Sequence, residues 1–149
     1  MPGEVIPIAA DHAGFALKQV IAKALTELGY QVRDFGTDSP ESSDYPDFAH
    51  PLASEVSSGT VRRGVLMCGT GLGMSYAANR HPHVRAAVAW TPEIAELARR
   101  HNDANVLVLP ARFVSEKEGL DILAAWLNTA FEGGRHQRRV GKIEVPEAS

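Results

Sequence analysis

The chain has 149 residues, of which 44% are apolar, and this length suits one domain with a sizeable buried core. Its 15 basic and 18 acidic residues give a net charge of -3, so the overall charge favours neither nucleic acid nor an anionic membrane as a partner. No signal peptide is recognisable, and no segment approaches the roughly 18 apolar residues of a membrane span, so we expect a cytoplasmic protein.

Short apolar runs alternate with longer stretches of helical periodicity in the first half of the chain. A strand is predicted over 5–10, a helix over 15–28 and a second strand over 30–35. Pro46 is expected to open a second helix, which Pro51 would shorten or kink.

The same alternation continues in the second half. Thr91 is a good N-cap for one helix, and Ser115 with Glu118 forms a capping-box pattern at the start of another. The predicted elements are strands over 64–68, 85–90 and 106–109, a helix that ends at Asn79, and helices over 91–100, over 115–131 and after Gly134.

Five strands that alternate with helices predict an α/β fold with a three-layer arrangement around a parallel sheet, since parallel strands need crossover connections. One domain over 1–149 and the strand order 2-1-3-4-5 are expected. In that order strands one and three are neighbours, and their following helices lie on opposite faces. Asp11 and His12 would then border a crevice together with Cys68 and Gly69.

The segment Cys68-Gly69-Thr70-Gly71-Leu72-Gly73 places three glycines between a strand and a helix. Such a loop can direct backbone N–H groups at an anion, and those amides also stabilise a thiolate. A dinucleotide fingerprint would need glycine at position 74, and a thiol phosphatase loop would need arginine there, but the residue is Met74. A tight turn with a buried cysteine remains the alternative.

Three further segments have both a functional and a structural interpretation. Asp11-His12 suits a ligand site or a helix N-cap, and His101-Asn102-Asp103 suits a site or a solvated helix end. The end of a crossover helix lies away from the crevice, so His101 would reach it only through a displaced connection or a second subunit. Arg135, Arg139 and Lys142 recur at helical spacing, as in a phosphate clamp or a solvated face. The tail lacks the aromatic residues typical of RNA-binding segments.

The chain contains six blocks in the order ADHAG, DYPDFA, CGTGLG, AANR, HNDANVL and GGRHQRR. Together they resemble the ribose-5-phosphate isomerase type B family, which includes galactose-6-phosphate and allose-6-phosphate isomerases. The resemblance runs from about position 6 to 139. It implies a Rossmann-like fold and a homodimer or dimer of dimers with shared active sites. It also implies catalysis without a metal or an organic cofactor. The C-terminal basic helix and tail, 133–149, would contact the partner subunit.

With a cysteine at the start of the glycine loop, the chain resembles the family members that use this cysteine as the catalytic base. Other members use a glutamate further along, and this chain has Met74 at that position. The resemblance implies catalytic roles for Cys68, Thr70, His101 and Asp11. Substrate-binding roles are implied for His12, Tyr45, Gly69, Gly71, Gly73, Asn102, Arg112, Arg135, His136 and Arg139, with the last group of arginines and His136 at the phosphate.

The expected activity is aldose–ketose isomerisation through an enediolate, with ribose 5-phosphate and ribulose 5-phosphate as the preferred pair. Cys68 would move the proton between neighbouring carbons, and the loop amides would hold the developing oxyanion. Allose 6-phosphate, galactose 6-phosphate and a tetrose phosphate are alternative substrates. A non-catalytic module that binds a phosphorylated ligand is a different class of function, and it would have no need of Cys68.

Overall fold

Five parallel strands form one sheet in the computed structural model, which describes residues 3–146. Residues 1–2 and 147–149, which the predicted domain and C-terminal tail include, lie outside the described residues. The elements in chain order are β1 (Val5–Ala10), α1 (Phe15–Glu27), β2 (Gln31–Asp34), α2 (Tyr45–Ser57), β3 (Gly64–Cys68), α3 (Leu72–Ala78), β4 (Ala86–Val88), α4 (Pro92–Asn102), β5 (Val106–Pro110), α5 (Glu116–Leu127) and α6 (Arg135–Val140).

The strand order is β2-β1-β3-β5-β4, so the expected order was wrong at its last two positions. β5 lies beside β3, and β4 takes the edge. The reason is burial, because every residue of β5 is buried, whereas the three residues of β4 are only half-buried. A strand that is apolar throughout gains most from a central position with both faces covered.

Alternate residues of the central strands pack on opposite faces of the sheet, as the two-residue period of a strand requires. Val65 and Met67 of β3 join one core with α1, α4 and α5. Leu66 and Cys68 join the other core with α2 and α3. The helices therefore form two outer layers, which confirms the three-layer α/β arrangement.

The predicted helix caps are confirmed. Thr91 accepts a hydrogen bond from the Ile94 amide, and Ser115 and Glu118 form the reciprocal capping box. Pro51 does not end α2, which continues to Ser57. The helix predicted over 115–131 stops at Leu127, and α6 ends at Val140, so Lys142 lies beyond the helix.

The carboxyl ends of β1 and β3 are level with each other. Their register pairs Ala10 with Met67, so Asp11, which follows β1, lies beside Cys68, the last residue of β3. α1 follows β1 on one face and α3 follows β3 on the other, which opens a crevice at this edge. Among the described residues, no helix combines the length and the apolar character needed to cross a membrane.

Candidate active site

Cys68 ends β3 with its side chain almost fully buried, at 4% exposure. Its Sγ accepts a hydrogen bond from the Gly71 amide at 3.2 Å. Gly71 can direct its N–H back at the sulfur because its φ is 81°, a left-handed conformation that glycine adopts without a steric penalty. The glycine loop therefore gives this thiol a donor that stabilises a sulfur anion.

Three of the other amides in the loop are available to a ligand. The N–H groups of Gly69, Thr70 and Gly73 have no hydrogen-bond partner among the described residues. The Leu72 amide is already used, since it donates to Oγ1 of Thr70 at 3.1 Å. Three unpaired donors beside a buried thiol form a setting in which a developing oxyanion can be held.

Asp11 and His12 follow β1, and each has a fixed orientation. Oδ1 of Asp11 accepts hydrogen bonds from the amides of Ala13 and Gly14, at 3.0 and 3.2 Å. Nδ1 of His12 accepts from the Ser43 amide at 3.1 Å, and the His12 amide donates to Oγ of Ser43 at 3.1 Å. Because Nδ1 is an acceptor, a neutral His12 carries its proton on Nε2.

Tyr45 and Arg112 lie against the glycines of the loop. A Cβ placed on Gly73 would be 2.6 Å from the ring of Tyr45, and one on Gly69 would be 3.1 Å from Nη1 of Arg112. The Tyr45 ring leaves no room for a side chain at Gly73, whereas at Gly69 the Arg112 side chain would have to shift by a few tenths of an ångström. These close approaches bring a phenol and a guanidinium to the rim of the loop.

These groups surround one cavity of about 170 Å³, which we call the cysteine pocket. Gly71 is buried beneath the loop, where a Cβ would be 3.1 Å from Val88 and 3.2 Å from Val108. The cysteine pocket is lined by Asp11, His12, Ala13, Tyr45, Cys68, Gly69, Thr70, Gly73 and Arg112.

A second group of side chains gathers where α4 ends and α6 begins, and we call it the histidine cluster. The rings of His101 and His136 stack with their centroids 4.3 Å apart. Glu132 lies close to both rings, with its carboxylate 4.0 Å from Nε2 of His101 and 3.8 Å from Nε2 of His136. None of these three residues lines the cysteine pocket.

His136 is buried, and its Nε2 has no hydrogen-bond partner among the described residues. Burial first, and then the neighbouring His101 and Arg135, lower the pKa of His136 below its ordinary value, although Glu132 offsets part of this effect. His136 is therefore a neutral ring at neutral pH, with one N–H to donate.

The ligand atoms of His101, Glu132 and His136 lie within 4.8 Å of one another, a spacing that could admit a metal ion. The histidine rings are parallel rather than convergent, and Arg100 places a guanidinium 3.8 Å from the same carboxylate. Both features oppose a bound cation, because metal ligands converge on one point and a neighbouring positive charge repels the ion.

Arg135 and Arg139 extend from α6 as exposed side chains, and Asn102, the last residue of α4, is exposed as well. Within one chain the sequence-predicted residues thus fall into two sets. One set forms the cysteine pocket, with Gly71 beneath it. The other comprises Asn102, Arg135 and Arg139 together with the two histidines of the histidine cluster.

Two residues that hold these sets in place were missed from the sequence. Ser43 fixes His12 from 31 positions away, and no local pattern indicates such a contact. Glu132 stands four residues before His136, so the helical spacing of an acid and a histidine was a usable signal. The three residues between them include Gly133 and Gly134, which concealed it.

The cysteine pocket combines a buried thiol, free amide donors, a carboxylate, an imidazole and a guanidinium. A thiol that a neighbouring amide favours as an anion can remove a proton from carbon, and the amides can receive the resulting oxyanion. The guanidinium of Arg112 is a group that can bind a phosphate through two parallel N–H donors.

Comparison with known proteins gives consistent matches along nearly the whole chain. The model of the Ribose/Galactose Isomerase family matches residues 6–143. Ribose-5-phosphate isomerase B of Escherichia coli is 46% identical over 142 residues, which are 95% of this chain and 95% of that protein.

Two solved structures show the same similarity in three dimensions. Ribose-5-phosphate isomerase B of Clostridium thermocellum is 51% identical, with a TM-score of 0.92 over 93% of this chain and 94% of that one. The Mycoplasma genitalium ribose-5-phosphate isomerase B with bound ribulose 5-phosphate is 42% identical, with a TM-score of 0.92 over 96% and 95%. The fold, the cysteine pocket and these matches agree, and the chain belongs to the ribose/galactose isomerase family.

Proposed function

We propose that this chain interconverts ribose 5-phosphate and ribulose 5-phosphate through an enediolate, with Cys68 as the base. The observation that carries the assignment is the buried thiol. Its sulfur accepts a hydrogen bond from the Gly71 amide and lies beside three loop amides that have no partner among the described residues. The relatives at 46% and 51% identity are both ribose-5-phosphate isomerases B, and a third, at 42%, holds ribulose 5-phosphate.

The sugar ring opens before the isomerisation. A proton leaves the hydroxyl on carbon 1 and another reaches the ring oxygen, which yields the open-chain aldehyde. Oδ1 of Asp11 is occupied by two amides, so Oδ2 is the oxygen that faces a sugar hydroxyl. Thr70 keeps its hydroxyl proton for donation, because its Oγ1 acts as an acceptor towards Leu72. His101 of a second copy of the chain exchanges the second proton.

The isomerisation itself is a transfer of one proton between neighbouring carbons. The Cys68 thiolate takes the proton from carbon 2 of the aldehyde, and the electron pair moves onto the oxygen of carbon 1 to give the enediolate. The amides of Gly69, Thr70 and Gly73 stabilise that charge. A proton shifts between the two oxygens, and Cys68 returns its proton to carbon 1, which gives the ketose.

A second copy of the chain completes the site. The exposed apolar side chains Leu72, Tyr76, Trp90 and Phe113 follow the carboxyl ends of strands, at the edge that holds the cysteine pocket. A partner that covers them would bring its own His101, Arg135, His136 and Arg139 towards that pocket. Arg112 from one chain and arginines from the other then hold the phosphate, whose binding energy orients the reacting carbons.

Steady-state rates on a panel of sugar phosphates test the substrate assignment. The panel contains ribose 5-phosphate, allose 6-phosphate, galactose 6-phosphate and erythrose 4-phosphate. We expect the largest kcat/KM for ribose 5-phosphate. Negligible turnover of ribose 5-phosphate beside strong turnover of another member would reject the assignment. Binding of every member without turnover would instead support a non-catalytic module.

A further inference from the structure

A larger cavity, of about 440 Å³, lies at the opposite edge of the sheet from the cysteine pocket. Four arginines line it, Arg62, Arg63, Arg85 and Arg99, and we call it the arginine cavity. Arg63 directly precedes β3, whereas Cys68 ends that strand. Five steps of strand at about 3.3 Å each therefore separate the two sites.

Positive charge exceeds negative charge around this cavity. Arg63 pairs with Glu4 at 2.9 Å, and Arg62 approaches the same carboxylate at 3.9 Å. Arg99 and Arg85 share Asp103, at 2.9 and 3.4 Å. Two carboxylates thus serve four guanidinium groups, although the chain as a whole has a net charge of -3. A local excess of this kind attracts anions.

Several guanidinium donors around the cavity are unused. Nε and Nη2 of Arg63 donate hydrogen bonds to Glu4 and Tyr30, and its Nη1 has no partner among the described residues. Nε and Nη1 of Arg99 donate hydrogen bonds to backbone oxygens and to Asp103, which leaves its Nη2 unpaired within the described part of the chain. Arg62 is 73% exposed, and no hydrogen bond restrains its guanidinium within that same range of residues.

The backbone beside these arginines is held in an unusual conformation. His83 and Asp103 have φ values of 65° and 48°, and both line the arginine cavity. Arg85 ties them together, because its Nη1 donates to the carbonyl of His83 and its Nε to the carbonyl of Asp103. Left-handed conformations of non-glycine residues persist where surrounding contacts enforce them, and they recur at ligand sites.

We propose that the arginine cavity binds a small anion with two phosphate or carboxylate groups. Four guanidinium charges share two carboxylates among the described residues, which leaves two positive charges in excess, and paired unused N–H donors suit two anionic groups rather than one. A cavity of about 440 Å³ has room for such a ligand. The site is independent of the proposed isomerase activity, and its occupant would contact the start of the strand that ends at Cys68.

Titration of the full-length, ¹⁵N-labelled protein with pyrophosphate, followed by amide NMR, tests this site. We expect the largest chemical-shift changes at Gly59, His83 and Asn105, which line the arginine cavity. Arg62→Ala should raise the Kd at least about tenfold, since a charge-assisted contact is worth about 1.5 kcal/mol or more. The variant should fold normally, because Arg62 is exposed and its ion pair is long.

Arg80→Ala is the matched control, since Arg80 is an exposed arginine outside the cavity, and its Kd should not change. Saturating ribose 5-phosphate should leave the shifts at the arginine cavity in place. Four results would overturn the proposal: shifts confined to the cysteine pocket, no shifts at millimolar pyrophosphate, equal weakening in Arg62→Ala and Arg80→Ala, or orthophosphate binding as tightly as pyrophosphate. A change of oligomeric state in Arg62→Ala, without a change in Kd, would show a contact between copies instead.

Discussion

The amides of the glycine loop fall into two groups around Cys68. The Gly71 amide donates to the Cys68 sulfur, whereas the amides of Gly69 and Gly73 have no hydrogen-bond partner within the described part of the chain. This division depends on the φ of 81° at Gly71, which turns its N–H back towards the sulfur and which glycine adopts without a steric penalty.

Ser43 is a positioning residue for His12, and its removal tests that role. Ser43→Ala removes the hydroxyl that accepts a hydrogen bond from the His12 amide, so the loop that contains His12 should become more mobile. The kcat/KM should fall roughly fivefold, which is the effect of losing about one hydrogen bond. Ser43→Thr keeps a hydroxyl and should restore most of the activity.

Ser39→Ala is the matched control, because Ser39 is in the same segment and bonds only to the Glu41 amide within the described residues. Initial rates on ribose 5-phosphate measure all three variants. Equal kcat/KM for Ser43→Ala and wild type would remove Ser43 from the site.

His136 should make stability depend on pH. Its pKa is lowered in the folded protein, chiefly by burial and then by His101 and Arg135, so the unfolded chain binds the proton more readily. Protonation therefore favours unfolding, and stability should fall as the pH drops below about 6.5, the ordinary histidine pKa.

Thermal unfolding of wild type and His136→Gln between neutral and mildly acidic pH measures this effect. The Tm of the variant should fall less on acidification than the Tm of the wild type, since the variant has no imidazole to protonate at position 136. His81 also has a lowered pKa, from burial and from His50, so it contributes to both curves and cancels in the comparison. Parallel curves for the two proteins would contradict the account.

At the scale of the elements, local chemistry predicted helix starts well and strand order poorly. Caps such as Thr91 and Ser115 are encoded within a few residues, because the cap and its amide partner are neighbours in sequence. The place of β5 beside β3 depends on which strands have both faces covered by helices, which is a property of the whole sheet. The full burial of β5 decided it, and its uninterrupted apolar run was the available signal.

Gly14 shows where an element junction tolerates no side chain. A Cβ on Gly14 would stand 2.6 Å from the carbonyl oxygen of Met67, so the loop after β1 packs directly on β3. Gly14→Ala should destabilise the protein by about 2 kcal/mol or more, because backbone must move to accept the methyl group.

Gly141→Ala is the control, since the nearest atom to its Cβ is 3.4 Å away and its φ is -62°. We expect it to change stability by less than about 0.5 kcal/mol. Urea unfolding measures both variants. A Gly14→Ala protein as stable as Gly141→Ala would show that the close approach is not present in solution.

At the scale of the molecule, the two sets of predicted site residues indicate a partner. The sequence already indicated that His101 would not reach the crevice of its own chain, because a crossover helix ends away from the crevice. In the structure His101 lies at the end of α4 and does not line the cysteine pocket. Which surface the second copy covers could not be read from the sequence. The exposed Tyr76 and Phe113 supply that information only once the fold is known.

Mixing two inactive variants tests whether sites are shared. Cys68→Ala lacks the base and Arg135→Ala lacks part of the partner's contribution. After subunit exchange, about a quarter of wild-type activity should return, because half of randomly assorted dimers are mixed and each then has one site without either lesion. Cys68→Ala mixed with Arg112→Ala should recover nothing, since both lesions lie in the cysteine pocket. No recovery from either mixture, despite proven exchange, would argue for a self-contained site. Recovery from the mixture with Arg112→Ala would contradict the placement of Arg112 beside the Cys68 of its own chain.

Incorporation of solvent deuterium during turnover of ribose 5-phosphate tests the central claim most directly. Wild-type protein in D₂O should place deuterium on the carbon next to the carbonyl, because the proton held by Cys68 exchanges with solvent. Cys68→Ala should slow both isomerisation and incorporation by about 10²–10⁴-fold while still binding the substrate, as expected for loss of a general base. Isomerisation and deuterium incorporation at wild-type rates in Cys68→Ala would contradict the account.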